Sequence, residues 1–214
     1  MVCVVDLSST SVFLDWDGTV TLVDTGVHLL DRLVTDDWRA FEAEWIAGTI
    51  GSRECLSRQW EMLPKDEALL RSVAAEVELD PGLGPLVDAL REAGAEVTVL
   101  SDGYGFYAED VCRELDLPVL TNRVDFETGT LLFPNLDACC ACSTCGTCKQ
   151  APIREADRQG RTTVFVGDGL SDRKASLLAD VLFAKGRLAE WCEEVDQPFR
   201  PFSTLGDVQE ALGL

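Results

Sequence analysis

Basic residues are scarce in this sequence: 18 lysines and arginines stand against 38 aspartates and glutamates, giving a formal net charge of −20. Nucleic acids and anionic membrane surfaces are bound by basic faces, so this balance argues against both as partners. An anionic substrate would need positive charge supplied locally, by a metal ion, a lysine or backbone N–H groups.

Long uncharged apolar stretches are also missing. Asp6 interrupts the early apolar run and the first basic residue is Arg32. The pattern therefore predicts neither a signal peptide nor a membrane span. We expect a cytoplasmic protein whose nine cysteines lie in a reducing compartment, where a disulfide framework is not favoured.

What the chain does contain is typical of a globular enzyme-sized protein. Its 214 residues are 46% hydrophobic, enough to bury a sizeable core in one large domain or in a core with an insertion.

Three apolar runs end in an acid or serine followed by glycine: "SVFLDWDG" (11–18), "AEVTVLSDG" (95–103) and "TTVFVGDG" (162–169). Shorter candidate strands lie at 117–120 and 181–184, and helical patterns lie at 83–93, 104–115, 151–159 and 171–179. Alternating strands and helices predict an α/β fold, a Rossmann-like parallel sheet with helices on both faces.

The connection after the first strand is too long for an ordinary crossover. From 18 to about 79 the patterns are helical only, and we interpret residues 21–80 as an inserted helical-bundle cap on a core formed by 1–20 and 81–214. Residues 126–134 predict a hairpin around Thr128 and Gly129.

Polar groups follow the strand ends, where ligands bind in a doubly wound sheet. Asp15 and Asp17 follow the first strand, Ser101 a second and Asp168 a third. Asp and Gly are also ordinary turn residues, so one such strand end would carry little weight. Three together indicate a site in which carboxylates are joined by a hard cation and can take part in phosphoryl transfer.

These motifs resemble those of the haloacid dehalogenase superfamily, in its phosphatase branch. "DWDGT", Ser101 after an apolar strand, a lysine opening a helix, and "GDGLSD" occur in that family's order. The helical insertion resembles the cap of the phosphoserine-phosphatase-like group. Within that group, "CGTCK" and the cysteine-rich segment before it look most like the enol-phosphate phosphatases of methionine salvage and their relatives.

The resemblance implies roles for the acids of the site. Asp15 would be the nucleophile and a Mg²⁺ ligand, and Asp17 the general acid and base, bound to Mg²⁺ through its backbone carbonyl. Asp168 would complete the metal site, with Asp172 either bound to the ion or just behind it.

It also implies a phosphate-binding set and a cation. Ser101, with the N–H groups of Asp102 and Gly103, would hold the phosphate, and Lys149 would stabilise the nucleophile and the transition state. Two positions depart from the family pattern. Asp102 stands where relatives often have glycine, and Trp16 where phenylalanine is common.

Residues of the predicted cap are candidates for substrate specificity. Asp24 either faces the substrate or caps the following helix, and the sequence favours neither. His28, the only histidine, and Arg53 are further candidates for contact with the substrate, although both also fit ordinary packing or a solvated helix face. Trp38, Trp45 and Trp60 are expected to fill the cap interior.

The cysteines at 139, 142, 145 and 148 recur every third residue. They could bind structural zinc or an iron–sulfur cluster, with a further ligand from Cys3, Cys55, Cys112 or Cys192 if the fold brings one close. Free thiols, or an occasional disulfide under oxidising conditions, are the favoured interpretation, and the thiols would then shape the segment that delivers Lys149.

The sequence thus predicts a Mg²⁺-dependent phosphomonoesterase that hydrolyses a small phosphorylated metabolite through an aspartyl-phosphate, with the enol phosphate of methionine salvage as one candidate. The alternatives are a phosphatase for phosphoserine or another small metabolite, a phosphotransferase, or a metal- or redox-responsive regulatory protein on the same fold.

Overall fold

The computed structural model describes residues 6–136 and 144–214, and eight strands and ten helices are found in that part of the chain. The strands are β1 (Thr10–Asp15), β2 (Glu96–Leu100), β3 (Val119–Leu120), β4 (Arg123–Asp125), β5 (Thr130–Leu132), β6 (Thr162–Gly167), β7 (Val181–Ala184) and β8 (Arg200–Pro201).

The helices alternate with these strands except in one long connection. They are α1 (Thr25–Leu33), α2 (Arg39–Ile46), α3 (Ser52–Met62), α4 (Glu67–Ala74), α5 (Leu83–Glu92), α6 (Phe106–Glu114), α7 (Gln150–Arg158), α8 (Arg173–Ser176), α9 (Gly186–Glu194) and α10 (Leu205–Leu212).

Six strands form a parallel sheet in the order β3-β2-β1-β6-β7-β8. β1 is central, between β2 and β6. All six of its residues are buried, because helices cover both faces of the sheet. Phe13 faces a core cluster with α7 and α9, whereas Val12 and Leu14 face the opposite cluster with α5 and α10. The α/β class and the Rossmann-like parallel sheet are therefore confirmed.

The predicted helix at 171–179 is shorter than expected. A 3₁₀ turn at Leu170–Asp172 precedes α8, which ends at Ser176. The turn forms because the Asp172 carboxylate turns back to accept the N–H groups of Asp168 and Gly169, at 3.1 and 3.0 Å. The predicted hairpin is present, with β4 and β5 paired antiparallel across the turn at Thr128 and Gly129.

Four helices, α1 to α4, occupy the long connection after β1. The chain enters and leaves this region side by side: the N–H of Leu22 donates to Glu78 O at 2.9 Å and the N–H of Asp80 donates to Val20 O at 2.8 Å. Thr21 and Leu79 form an isolated antiparallel bridge between the same segments. The division into a core and a cap at 21–80 stays a prediction of domain organisation.

Helix α3 packs against the sheet region through the aromatic side chain of Trp60. Trp60 of α3 packs on Tyr104 at 5.4 Å and on Phe126 at 6.3 Å between ring centroids. Its indole N–H donates to Gly129 O at 2.8 Å. Trp38 and Trp60 are buried in the interior as expected, whereas Trp45 is only half-buried. One apolar cluster therefore runs from the sheet into the helices of the insertion.

None of the helices in residues 6–136 and 144–214 has the length and apolar character that a bilayer crossing requires.

We predict that Asp80 is a structural anchor where the insertion returns to the sheet. Its buried carboxylate accepts the N–H of Gly82 at 2.8 Å and that of Leu205, the first residue of α10, at 3.0 Å. Asp80→Ala leaves both N–H groups without that acceptor, so the free energy of unfolding should fall by about 3 kcal/mol in urea denaturation.

The matched control is Asp88→Ala on the exposed face of α5, expected to change stability by no more than about 0.5 kcal/mol. Equal losses in the two variants would contradict the anchoring role.

Candidate active site

The carboxyl ends of β1, β2 and β6 meet at one edge of the sheet, where they open onto a cavity of about 410 Å³. Asp15 ends β1 and Asp168 follows β6, because parallel strands place their ends at the same edge. The carboxylates of Asp15, Asp168 and Asp172 each offer an oxygen within 4.8 Å of the others. Three acids so close together need positive charge between them.

That charge is supplied by Lys149, which stands immediately before α7 and is 4% exposed. Its ammonium donates to Asp15 Oδ1 and, at 2.7 Å, to Asp172 Oδ1. Burial opposes the charged form, but the two neighbouring carboxylates outweigh it and raise the pKa of Lys149 above its usual range. The lysine is therefore a permanent cation at the centre of the acidic cluster.

Asp172 is turned away from the cavity. Its Oδ2 accepts the N–H groups of Asp168 and Gly169, its Oδ1 accepts from Lys149, and it is fully buried. Asp168 lines the cavity and accepts the Thr19 hydroxyl at 3.2 Å. Burial, and then the charge of Asp172, raise the pKa of Asp168 to about 6.

Asp17 lies in the irregular turn after β1 and lines the same cavity. Its two carboxylate oxygens accept the N–H of Thr25 at 2.9 Å and the hydroxyl of Tyr107 at 3.3 Å. Burial, with the nearby charge of Asp24 second, raises the pKa of Asp17 to about 8. A carboxyl that holds its proton near neutral pH can donate it to a leaving group.

Glycine is required at two positions, one in the turn around Asp17 and one in the loop after β2. Gly18 has φ of +79°, and a Cβ there would lie 2.5 Å from Asp168 Oδ2. A Cβ on Gly103 would lie 2.6 Å from Asp17 Oδ2 and 2.2 Å from the Tyr107 hydroxyl oxygen. The glycines of "DWDG" and "SDG" thus allow the two loops to approach each other.

The loop after β2 places Ser101 and Gly103 beside these acids. The Gly103 N–H donates to Ser101 Oγ at 3.0 Å, and Ser101 is fully buried. Asp102, in contrast, uses its carboxylate to accept the N–H of Thr147 at 2.6 Å. This additional carboxylate therefore binds residues 144–149, the segment that ends in Lys149.

The same segment is bonded to several further parts of the protein. Asn122 donates its side-chain N–H to the backbone carbonyls of Asp102 and Gly103, both at 2.9 Å, and accepts the Thr147 hydroxyl at 3.1 Å. The N–H of Cys148 donates to Asn135 O at 2.8 Å.

The N-terminus of α3 also touches this segment. The N–H of Arg53 donates to Thr144 O at 3.0 Å and its guanidinium donates to Cys145 O at 3.3 Å. The N–H of Gly146 donates to Ser52 Oγ at 3.3 Å. The insertion and the lysine segment are therefore bonded directly.

Of the three specificity candidates, only Asp24 lines the cavity. It also caps α1 by accepting the N–H of Val27 at 2.8 Å, so both roles considered from the sequence are compatible. His28 instead lies 3.0 Å from Glu76, and Arg53 makes the contacts described above; neither lines the cavity.

The cavity is walled by residues that sequence motifs do not reveal. The helices of the insertion contribute mostly apolar side chains and three polar ones, namely Val27, Leu30, Glu42, Trp45, Ser52, Cys55, Leu56 and Gln59. Tyr104 and Tyr107 contribute their rings from the other side. Tyr107, six residues beyond Ser101, reaches Asp17, but no spacing rule singles it out.

The cysteines give no metal site among the described residues. Cys139 and Cys142 lie outside those residues, so the zinc hypothesis for the four-cysteine segment is not addressed there. Cys55, Cys112 and Cys192 lie in α3, α6 and α9. Within residues 6–136 and 144–214, one group of three or more Cys, His, Asp or Glu side chains lies close enough to share a metal ion. It consists of Asp15, Asp168 and Asp172.

Comparisons with known proteins identify the family and related folds. The profile of the haloacid dehalogenase-like hydrolase family matches residues 12–176. The chain is 29% identical to a 2-hydroxy-3-keto-5-methylthiopentenyl-1-phosphate phosphatase of Brevibacillus brevis, covering 92% of this chain and 91% of that one. It is 26% identical to the protein of the same name in an Exiguobacterium species, covering 94% and 95%.

Solved structures of phosphoserine phosphatases share the fold. One, titled a phospho-aspartyl intermediate analogue of phosphoserine phosphatase, superimposes with a TM-score of 0.74 at 18% identity, covering 94% of this chain and 98% of the other. A second, bound to its substrate, gives 0.71 at 16% identity, covering 94% and 97%.

We predict that Lys149 stabilises the folded protein as well as the site. Lys149→Met keeps the length of the side chain but leaves Asp15 and Asp172 without their shared cation. Breaking a buried ion pair by removing one partner costs about 3–5 kcal/mol. Urea denaturation in EDTA should show a loss of that size in the free energy of unfolding.

Arg158→Met is the control, because Arg158 pairs with Glu155 on the exposed surface of α7. Its loss should stay below about 1 kcal/mol. A Lys149→Met protein as stable as this control would refute the structural role of the cation.

Proposed function

The chain belongs to the haloacid dehalogenase-like hydrolase family, and from that premise we propose that it is a Mg²⁺-dependent phosphomonoesterase acting through an aspartyl-phosphate. The observation that carries the proposal is the meeting of Asp15, Asp17, Asp168 and Lys149 at a single cavity edge. It combines a nucleophile, a proton donor and a cation in the way that phosphoryl transfer requires.

Mg²⁺ fits the donor set. Its ligands would be carboxylate oxygens of Asp15 and Asp168 and the backbone carbonyl of Asp17, which are the hard oxygen donors that this ion prefers. When bound, the ion would offset negative charge on the transferring phosphoryl group. We assign Asp172 to the position behind it, since both of its oxygens are already engaged by Lys149 and by backbone N–H groups.

In the first half-reaction, an Asp15 carboxylate oxygen attacks phosphorus and the bond from phosphorus to the leaving oxygen breaks. Asp17 donates its proton to that oxygen, consistent with its raised pKa. We assign the Asp102 N–H and the Ser101 hydroxyl to the phosphoryl oxygens, with the Gly103 N–H orienting that hydroxyl, and Lys149 balances the charge that develops.

In the second half-reaction, the Asp17 carboxylate takes a proton from water as the water oxygen attacks phosphorus. The acyl-phosphate bond breaks, phosphate is released and Asp15 is regenerated as a carboxylate. The hydrogen bond from Tyr107 to Asp17 keeps the carboxyl directed at the cavity during both proton transfers.

For the substrate, we propose a small phosphorylated metabolite, with 2-hydroxy-3-keto-5-methylthiopentenyl-1-phosphate as the leading candidate. Support comes from the names of relatives aligned over nearly the whole chain. The described residues of 21–80 that line the cavity include Asp24 and Glu42 and no lysine or arginine. Acids on that side of the cavity favour a substrate without a carboxylate there, since the arginine among the described lining residues, Arg187, comes from α9.

We expect Asp15→Asn to lower turnover by more than about a thousandfold, because an amide cannot act as the nucleophile. The assay is phosphate release from a panel of small phosphomonoesters that includes the enol phosphate and phosphoserine. Asp88→Asn, on the exposed face of α5, should retain the rate. Full turnover by a folded Asp15→Asn protein would refute the assignment.

We also expect activity to depend on the ion. Treatment with EDTA should abolish phosphate release and Mg²⁺ should restore it. Ca²⁺ should bind without restoring the rate, because its larger and looser ligand shell misplaces the nucleophile. Undiminished rates with Ca²⁺ or in EDTA would count against the mechanism.

A further inference from the structure

The Tyr104 hydroxyl is buried in the wall of the cavity without a hydrogen-bond partner among the described residues. Tyr104 is fully buried. Buried polar groups in folded proteins are nearly always hydrogen-bonded, and one left unpaired costs roughly 1–3 kcal/mol. A group of this kind that faces a substrate cavity is available to bind what enters it.

The ring of Tyr104 is held firmly in place. Trp60 packs against it at 5.4 Å, and Trp60 is itself fixed by its hydrogen bond to Gly129 O. The backbone N–H of Tyr104 donates to the Tyr107 hydroxyl at 3.2 Å. Because Tyr104 follows Ser101 by three residues, its hydroxyl has a fixed relation to the phosphate-binding loop.

The surroundings keep this hydroxyl protonated. Burial, with the charges of Asp24, Cys55 and Asp17 behind it, raises the pKa of Tyr104 well above its usual range. The hydroxyl is therefore a neutral O–H donor in the wall of the cavity. Asp24 and Glu42, when ionised, repel a carboxylate on the ligand, so the acceptor that suits this position is an uncharged oxygen.

The wall that residues 21–80 contribute to the cavity offers few other donors to such an oxygen. Its nearby walls are apolar, formed by Val27, Leu30 and Leu56, while Asp24 and Glu42 accept rather than donate when ionised. The other neutral N–H or O–H donors among the described lining residues of α3 are the Gln59 amide and the Ser52 hydroxyl, and Ser52 is already bonded to Thr144 and Gly146.

We propose that the Tyr104 hydroxyl donates a hydrogen bond to a carbonyl or hydroxyl oxygen of the leaving group, and so selects oxygenated, carboxylate-free phosphate esters. This inference rests on the proposed phosphatase activity and deepens it, because it names the chemical class of the leaving group. Tyr104 is a specificity residue in this view, and the reacting atoms are handled by Asp15 and Asp17.

The test compares two substrates of equal carbon number in wild-type and Tyr104→Phe proteins with Mg²⁺. Dihydroxyacetone phosphate carries a carbonyl oxygen one carbon from the ester carbon, and n-propyl phosphate carries none. We expect Tyr104→Phe to lower kcat/KM for dihydroxyacetone phosphate about tenfold more than for n-propyl phosphate. Phosphoserine should be a poorer wild-type substrate than dihydroxyacetone phosphate.

Thr121→Val is the matched control. Its hydroxyl is also buried and unpartnered among the described residues, but Thr121 does not line this cavity. This variant should leave the ratio of the two kcat/KM values as in the wild type. Thermal unfolding adds a second readout: Tyr104→Phe should melt at or above the wild-type temperature, because it removes an unpaired hydroxyl.

The outcomes separate the two proposals. Equal losses on both esters, or no loss on either, overturn the role of Tyr104 while leaving the phosphatase intact. A lower melting temperature together with equal losses assigns Tyr104 to folding alone. Hydrolysis of neither ester by wild-type protein, with no Asp15-dependent activity on the wider panel, overturns both proposals together.

Discussion

The salt bridge of Lys149 with Asp15 and Asp172 is the interaction on which the rest of the site depends. Two buried carboxylates and the nearby Asp168 could not remain together without it, because burial and mutual repulsion both raise their free energy. The cation comes from a segment far along the chain from the first strand, so its contact also fixes the start of α7 against β1 and β6. Charge balance at the site and tertiary structure are thus provided by the same three side chains.

The placement of that lysine depends in turn on neutral and charged hydrogen bonds around it. The Asp102 carboxylate accepts the Thr147 N–H, and Asn122 joins the loop after β2 to the Thr147 hydroxyl. The departure from glycine at position 102 therefore has a structural use: the additional carboxylate binds the backbone of the segment that carries Lys149. The acidity of the chain is tolerated here because each buried carboxylate near the site has donors of its own.

Much of this arrangement could be predicted from the sequence, and the limits have physical reasons. Strand ends carrying Asp15, Ser101 and Asp168 could be recognised because parallel strands bring their carboxyl ends together. The direction of a side chain could not, since Arg53 and His28 find partners on neighbouring segments that no local pattern specifies. Asn122 and Tyr107 were missed for the same reason, as each acts through contacts distant in the sequence.

The hydrogen bonds between the start of α3 and residues 144–146 have a consequence for turnover. Moving α3 away to admit a substrate or release phosphate would break them, and they hold the same short segment that ends in Lys149. The two events are therefore thermodynamically linked, so whatever favours the open arrangement also loosens the lysine, and alignment of the lysine favours closure. An opened cavity would thus have a weaker charge balance at Asp15 and Asp172 than a closed one.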